Sequence, residues 1–259
     1  MENYCNPLWP LIYDEQNQVR HKDEFAFYAK ECSAHSGHVL EIACGTGMIL
    51  LPLLKQGVDI YGIDISEQML EQLFARAESE NIPGVHGRIS RQNMIDFRMD
   101  LTFDLIFIPA RSFLHLQTQD DQLACLRNIH RHLSDSGRFI LNFFTPDLPL
   151  LLTCMDPDPE YRHFDRYHHP DGKGVINLSN RRTIDLTEQV QHITWRFEMD
   201  DNIYESPMTV NWIYKKEFKL LAKLSGFTVS NLYSGFGKSV YNGEGVMVWE
   251  LKKAPQQNS

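Results

Sequence analysis

A chain of 259 residues, 42% hydrophobic and 23% charged, is long and apolar enough to bury one large core and carry an insertion. Its net charge of −9 argues against a nucleic-acid binder, and no apolar run approaches the roughly 20 residues of a membrane span. The amino terminus lacks the basic and apolar regions of a signal peptide, and five cysteines without a Cys-x-x-Cys spacing suggest buried spectators in a reducing, cytoplasmic setting.

The chain opens on an aromatic, proline-rich stretch holding Trp9 and Tyr13. Glu15 to Ala34 follows as one helix, whose apolar Val19, Phe25, Phe27, Tyr28 and Cys32 pack on the domain. His38 to Ala43 reads as a first strand, then comes a glycine turn, then an almost wholly apolar helix from Gly47 to Gln56 ended by Gly57. Gly45 and Gly47 permit backbone angles that a side chain forbids, so the main chain can lie against a ligand. The helix start beyond them offers unpaired N–H groups.

Val58 to Asp64 is a second strand, and Ser66 caps a helix running through Met69, Leu70, Leu73 and Ala77. Val85 to Ile89 is a weaker third strand and Phe103 to Ile108 a buried fourth. Asp120 or Asp121 caps a helix carrying Leu123, Leu126, Ile129 and Leu133, closed by Ser136-Gly137. Arg138 to Phe144 is the fifth strand. Such alternation is the signature of a doubly wound α/β sheet with right-handed crossovers.

Beyond Thr145 prolines break that rhythm, and Gly174 to Ile184, Val190 to Glu198 and Met208 to Ile213 read as antiparallel strands. Lys216 to Leu224 is an amphipathic helix. Phe227 to Tyr233 and Val246 to Leu251 form a closing strand pair, and the tail from Ala254 is polar and loose.

A dinucleotide turn of the Gly-x-Gly-x-x-Gly type would need a glycine where Leu50 stands. The pattern present is Glu-x-Ala-x-Gly-x-Gly (Glu41, Ala43, Gly45, Gly47), with Asp64 ending the next strand and Asn93-Met94-Ile95-Asp96-Phe97 after the third. This resembles the class I S-adenosylmethionine-dependent methyltransferases. The resemblance implies an α/β, doubly wound, seven-stranded and mostly parallel Rossmann-like sheet with an antiparallel β insertion as a lid. It divides the chain into a helical cap (1–35), a cofactor-binding catalytic domain (36–149 and 214–253) and a substrate lid (150–213).

By the same resemblance, Gly45, Thr46 and Gly47 wrap the methionine part of the cofactor. Asp64 takes both ribose hydroxyls, which suits the paired acceptor oxygens of a carboxylate. Asn93 and Met94 contact the adenine, Asn93 standing where aspartate is usual. Tyr13, Glu41, Ala43, Ile65, Met69, Ile108 and Ser112 complete the expected cofactor set. A narrower resemblance, to the glycine and amino-sugar N-methyltransferases, rests on Tyr13-Asp14, the segment Pro109 to Leu116, and the β insertion.

Methyl transfer to nitrogen or oxygen is an in-line displacement at an already activated methyl, so the protein mainly aligns the partners and excludes water. A hydroxyl acceptor would use a general base; His115, after the fourth strand, reads as that base or as a partly buried helix-start histidine making a structural hydrogen bond, with Tyr13 beside cofactor or substrate. Arg111 and Ser112 either touch the ligands or shape a loop. Arg181-Arg182 reads as an acid-recognising pair or as an exposed strand pair. His163, His168 and His169 read as surface histidines, and no metal is expected. The expected acceptor is a small molecule, with neither nucleic acid nor membrane as partner and a homodimer left open. The alternatives are a protein or peptide methyltransferase and a non-catalytic cofactor-binding module.

Overall fold

The computed structural model describes residues 8–169, 172, 174–200 and 202–255, without the side chains of 11 and 16–20. The expectations for the amino-terminal seven residues, Cys5, the Val19 side chain and the end of the tail lie outside them. No helix of the described residues is long and apolar enough to cross a membrane.

Short β-branched and aromatic runs build the centre of the larger sheet. These are β1 (Val39–Ile42), β2 (Ile60–Asp64), β3 (Ile89–Arg91), β4 (Phe103–Ile108) and β5 (Leu133–Phe144), which run parallel. The polypeptide then returns as β10 (Phe227–Ser234), β11 (Ser239–Val240) and β12 (Val246–Lys253), and β12 pairs antiparallel with β5. The order β11-β10-β12-β5-β4-β1-β2-β3 adds a two-residue eighth strand, β11, to the seven expected. Strand order reverses between β1 and β4, the position where open α/β sheets leave a crevice for ligands.

Two cores sandwich this sheet. On one face Phe27 and Tyr28 of α2 (Lys22–Ser33) pack with α3 (Leu50–Lys55) and α4 (Glu67–Ser79). On the other, α5 (Gln119–His132) and α7 (Lys215–Leu224) pack against Phe139, Phe143 and Trp249. After the short α6 (Leu148–Leu152), a four-stranded antiparallel sheet forms from β6 (Arg162–His168), β7 (Val175–Asp185), β8 (Val190–Met199) and β9 (Asn202–Asn211). Its inner face buries Ile176, Leu178, Trp195 and Phe197 against Leu8, Trp9 and Ile12 of α1 (Leu8–Arg20).

Several expectations shift locally. The single helix over 15–34 is two, α1 and α2, with His21 between them. Each packs on a different sheet, so the chain must turn there. The third strand begins at Ile89, because left-handed Gly84 (φ 74°) starts a 3-10 turn over Val85–Gly87. Helix α5 is capped by Thr118, whose Oγ1 accepts from the Asp121 amide at 3.1 Å, and Asp120 and Asp121 occupy its first turn. Ser136-Gly137 lies inside β5 rather than closing that helix. Charged β6 was not expected at all, and β9 starts six residues before Met208. Pro207 is accommodated because β9 is an edge strand.

Gly62 permits the close approach of α3 to the sheet. A Cβ there would stand 2.5 Å from Leu50 Cδ1, 3.0 Å from Cys44 Sγ and 3.1 Å from Ile89 Cδ1. Gly62→Ala is expected to cost about 1–3 kcal/mol through overpacking, measured by urea unfolding. Undiminished stability would mean that α3 is free to shift.

Candidate active site

The turn after β1 is built from left-handed residues: Ala43 (φ 61°), Gly45 (φ 53°) and Gly47 (φ 77°). Gly47 is obligatory on steric grounds as well, since a Cβ would meet Leu51 Cγ at 2.8 Å and Leu73 Cγ at 3.0 Å. Around Gly45 the space is open, and the nearest atom to such a Cβ is Tyr13 Cε1 at 4.0 Å. Helix α3 starts at Leu50, later than the expected Gly47, with a second turn intervening.

Asp64, at the end of β2, closes this turn. Its Oδ2 accepts from the Gly45 amide at 2.8 Å and its Oδ1 from the Ser66 amide at 2.8 Å. Burial raises its pKa against the opposing pull of those amides. From the opposite side, α1 is strapped across the turn. Thr46 Oγ1 donates to Asp14 Oδ1 at 2.5 Å, and Arg76 Nη1 lies 3.3 Å from Asp14 Oδ2. Tyr13, beside Asp14, therefore lies over the glycine turn.

The other expected cofactor residues divide. Asn93 Oδ1 accepts from the Ile95 amide at 3.1 Å and shapes the loop after β3, while Met94 is buried in the core. Ile65 is exposed beside Asp64, whereas Met69 packs with the α1 cluster. Ile108 is fully buried, and Ser112 Oγ donates to the Pro109 carbonyl at 2.9 Å within its own loop. Glu41 is buried on β1 beside Gly62 and Phe107, with Oε2 unbonded. Burial, with Asp64 nearby, pushes its carboxyl well above the usual carboxylate range. Burial likewise raises the Cys44 thiol far above the reactive range.

After β4 the chain makes a second left-handed pair, Ala110 (φ 55°) and Arg111 (φ 63°). The Ala110 amide donates to Glu24 Oε1 at 2.5 Å, and Glu24 Oε2 lies 2.8 Å from His21 Nδ1. Arg111 Nη2 rests against the His21 ring at 3.1 Å. Glu24 is almost fully buried; desolvation opposes its charge, but the bonds from His21 and Ala110 leave its pKa lowered overall. Neither His21 nor Glu24 stood out in the sequence, where both fell inside the single helix expected over 15–34.

Between these elements lies a cavity of about 510 Å³. Tyr13, His21, Ala110, Arg111, His115 and Phe144 form its floor, and the inner face of the antiparallel sheet forms its roof. His115 Nδ1 lies 3.4 Å from the Thr209 carbonyl oxygen, an arrangement that favours the proton on Nδ1. Enclosure by protein lowers the His115 pKa, so its ring is neutral near pH 7. Arg181 and Arg182 point to opposite faces: Arg182 lines the cavity, while Arg181 faces the outer ring of Tyr161 at 5.1 Å. His163 and His168 are exposed, and among the described residues no group of three His, Cys, Asp or Glu is placed to hold a metal ion.

A family model described as a methyltransferase domain matches residues 39–137. A cypemycin N-terminal methyltransferase from a Streptomyces species is 30% identical over 210 residues, 78% of this chain and 77% of its own length. A glycine N-methyltransferase from Mus musculus is 25% identical over 170 residues, and the match spans 60% of this chain and 58% of the relative. Among solved structures, an S-adenosylmethionine-dependent methyltransferase from Clostridium acetobutylicum superposes with a TM-score of 0.73 at 15% identity, covering 94% of this chain and 96% of its own. A sugar N-methyltransferase from a Streptoalloteichus species superposes at 0.66 and 15% identity, covering 93% and 92%. At such identities these likenesses speak for the fold.

Glu41 gives a test of site electrostatics. Its folded-state pKa lies above its unfolded one, so as pH rises the unfolded chain releases this proton first and the folded state loses stability. Glu41→Gln cannot ionise. The variant should match the parent near pH 4, where the unfolded carboxyl still holds most of its proton, and exceed it by at least about 1 kcal/mol near pH 8 in urea unfolding. Equal stability differences at both pH values would refute the assignment.

Proposed function

This chain belongs to the S-adenosylmethionine-dependent methyltransferases, and we propose that it transfers a methyl group to the nitrogen of a small-molecule amine. The observation that carries the acceptor reading is the cavity over the carboxyl ends of β4 and β5, roofed by the antiparallel sheet and bordered by Tyr13 at the glycine turn. The relatives named for N-terminal, glycine and sugar N-methylation favour nitrogen over oxygen.

The residues fit the cofactor. Open space at Gly45 admits a ligand against the main chain. The Asp64 carboxylate takes the Gly45, Ser66 and Ile65 amides, and its remaining acceptor capacity would serve the ribose. Gly45, Thr46 and Gly47 would hold the methionine part, and Asn93 and Met94 the adenine. When bound, S-adenosylmethionine supplies a methyl on a positively charged sulfur, ready for in-line displacement.

The protein's own part is orientation and proton handling. Tyr13 borders both ligand spaces and fixes where the amine meets the methyl. The amine's lone pair would form the new N–C bond as the methyl's bond to sulfur breaks and its electrons leave with the sulfur, and the methylated nitrogen would give up one proton. His115, neutral and with Nδ1 turned to Thr209, would take that proton through Nε2. Glu24 and His21 brace the Ala110-Arg111 corner, and the aromatic walls exclude water. The N-terminal specificity named for the cypemycin relative favours a second reading, a peptide amino terminus as acceptor.

Two measurements test this. Asp64→Ala should weaken S-adenosylhomocysteine binding in calorimetry by about 100-fold, the worth of two hydrogen bonds to a charged group, with an unchanged circular dichroism spectrum. Unaltered affinity would remove the ribose assignment. His115→Asn should lower kcat by roughly 100-fold and abolish an acidic limb of the pH–rate profile lying below the ordinary histidine range. A variant with the parental kcat and limb would exclude His115 as base. Turnover of free amines but not of peptide amino termini would decide between the two acceptor readings.

A further inference from the structure

The acceptor cavity differs in charge from the rest of the molecule. The chain carries −9 overall, yet the described residues lining the cavity include Arg111, Arg182, His21 and His115 and no acid. The two arginines are not equivalent. Arg111 belongs to a compensated cluster, its guanidinium against His21 and within the field of buried Glu24. Arg182 has no such partner. Its one hydrogen bond among the described residues is Nε donating to Asn180 Oδ1 at 2.9 Å, and no carboxylate lies within ion-pair distance. Asp158 shares the outer groove that Arg182 also borders, without forming an ion pair to it.

The position is set by strand register. Arg182 pairs with Ile193, Asn180 with Trp195 and Ile184 with Gln191, so alternation turns Arg182 to the inner face that carries Trp195 and Ile193. Desolvation there works against its charge. A guanidinium set into an apolar wall without a counter-charge is unfavourable unless a ligand supplies one. Around it the wall is mainly apolar and aromatic, formed by Trp9, Phe164, Ile193, Trp195 and Met208, with uncharged Gln191 on the same strand face. At about 510 Å³ the space exceeds what the smallest amino acids would fill.

Building on the methyltransferase reading, we infer that the acceptor is an amine bearing both a carboxylate and an apolar body, with Arg182 as the carboxylate anchor and the Trp9–Trp195 wall as the seat of that body. The planar fork of the guanidinium suits two-point recognition of a carboxylate. The amine end is then left for the floor, where Tyr13 and His115 stand. Acceptors of this class include the larger apolar amino acids.

Two experiments test the anchor. Phenylacetate and phenylacetamide are titrated into the full chain, with and without saturating S-adenosylhomocysteine, following tryptophan fluorescence, which Trp9 and Trp195 make sensitive to cavity occupancy. Phenylacetate is expected to bind at least 10-fold more tightly than the amide, a preference that Arg182→Gln removes and Arg182→Lys partly restores. In parallel, leucine, phenylalanine and tryptophan are compared with their amides as acceptors from labelled S-adenosylmethionine. Turnover should favour the carboxylates, and Arg182→Gln should raise KM by about 100-fold while leaving S-adenosylhomocysteine affinity unaltered. Equal binding of acid and amide, an amide used as well as its acid, or a KM indifferent to Arg182 would each overturn the anchor. Absence of S-adenosylhomocysteine binding by the unaltered protein would instead overturn the parent reading, and the cofactor-free titration keeps the two failures apart.

Discussion

The carboxylate of Asp64 holds the two loops on which the site depends. Where β1 and β2 leave the sheet, the amides of Gly45 and Ser66 lose their ladder partners, and buried amides without acceptors are costly. One side chain satisfies both, at 2.8 Å each. The price of this arrangement is a buried carboxylate whose pKa is raised by desolvation. It ties the ends of adjacent strands into one rigid edge, and the left-handed residues Ala43, Gly45 and Gly47 let the main chain pass beneath without a side chain in the way.

A second tie comes from outside the sheet. Asp14 on α1 takes the Thr46 hydroxyl and the Arg76 guanidinium, so the amino-terminal helix is fastened over the glycine turn rather than hanging from its neighbour. The same helix buries Trp9 and Ile12 in the antiparallel sheet. One helix therefore joins the two sheets and sets the width of the space between them. Glu24 does the equivalent at the next helix, holding the Ala110 amide and His21 so that the corner after β4 keeps its left-handed shape. The acceptor cavity is what remains between these fixed points.

Much of this was legible from residue order. Phe103–Ile108 is a strand in sequence and structure alike, because a buried parallel strand needs a near-continuous apolar run, broken here only by Asp104 near its start. Ser66 caps α4 as its side chain predicts, accepting from the Met69 amide at 3.3 Å. Charged edge strand β6 was not legible. With most of its side chains exposed it carries no hydrophobic period, and its pairing with β7 supplies the order. The break at His21 was equally silent, since helix propensity continues across it and only the divergence of two cores forces the turn.

By itself the sequence determined the alternating sheet, the glycine turn and the acid at the end of β2, because these depend on neighbours within a few residues and on local sterics. Tertiary structure alone decided which polar residues converge on the cavity. His21, Arg111, His115 and Arg182 come from a helix break, a loop, a 3-10 turn and a strand whose register turns one arginine of a pair inward and the other outward. A strand's alternation can be read from its residues, but which of its faces meets a cavity is set by the partner it packs against, and that partner lies far along the chain.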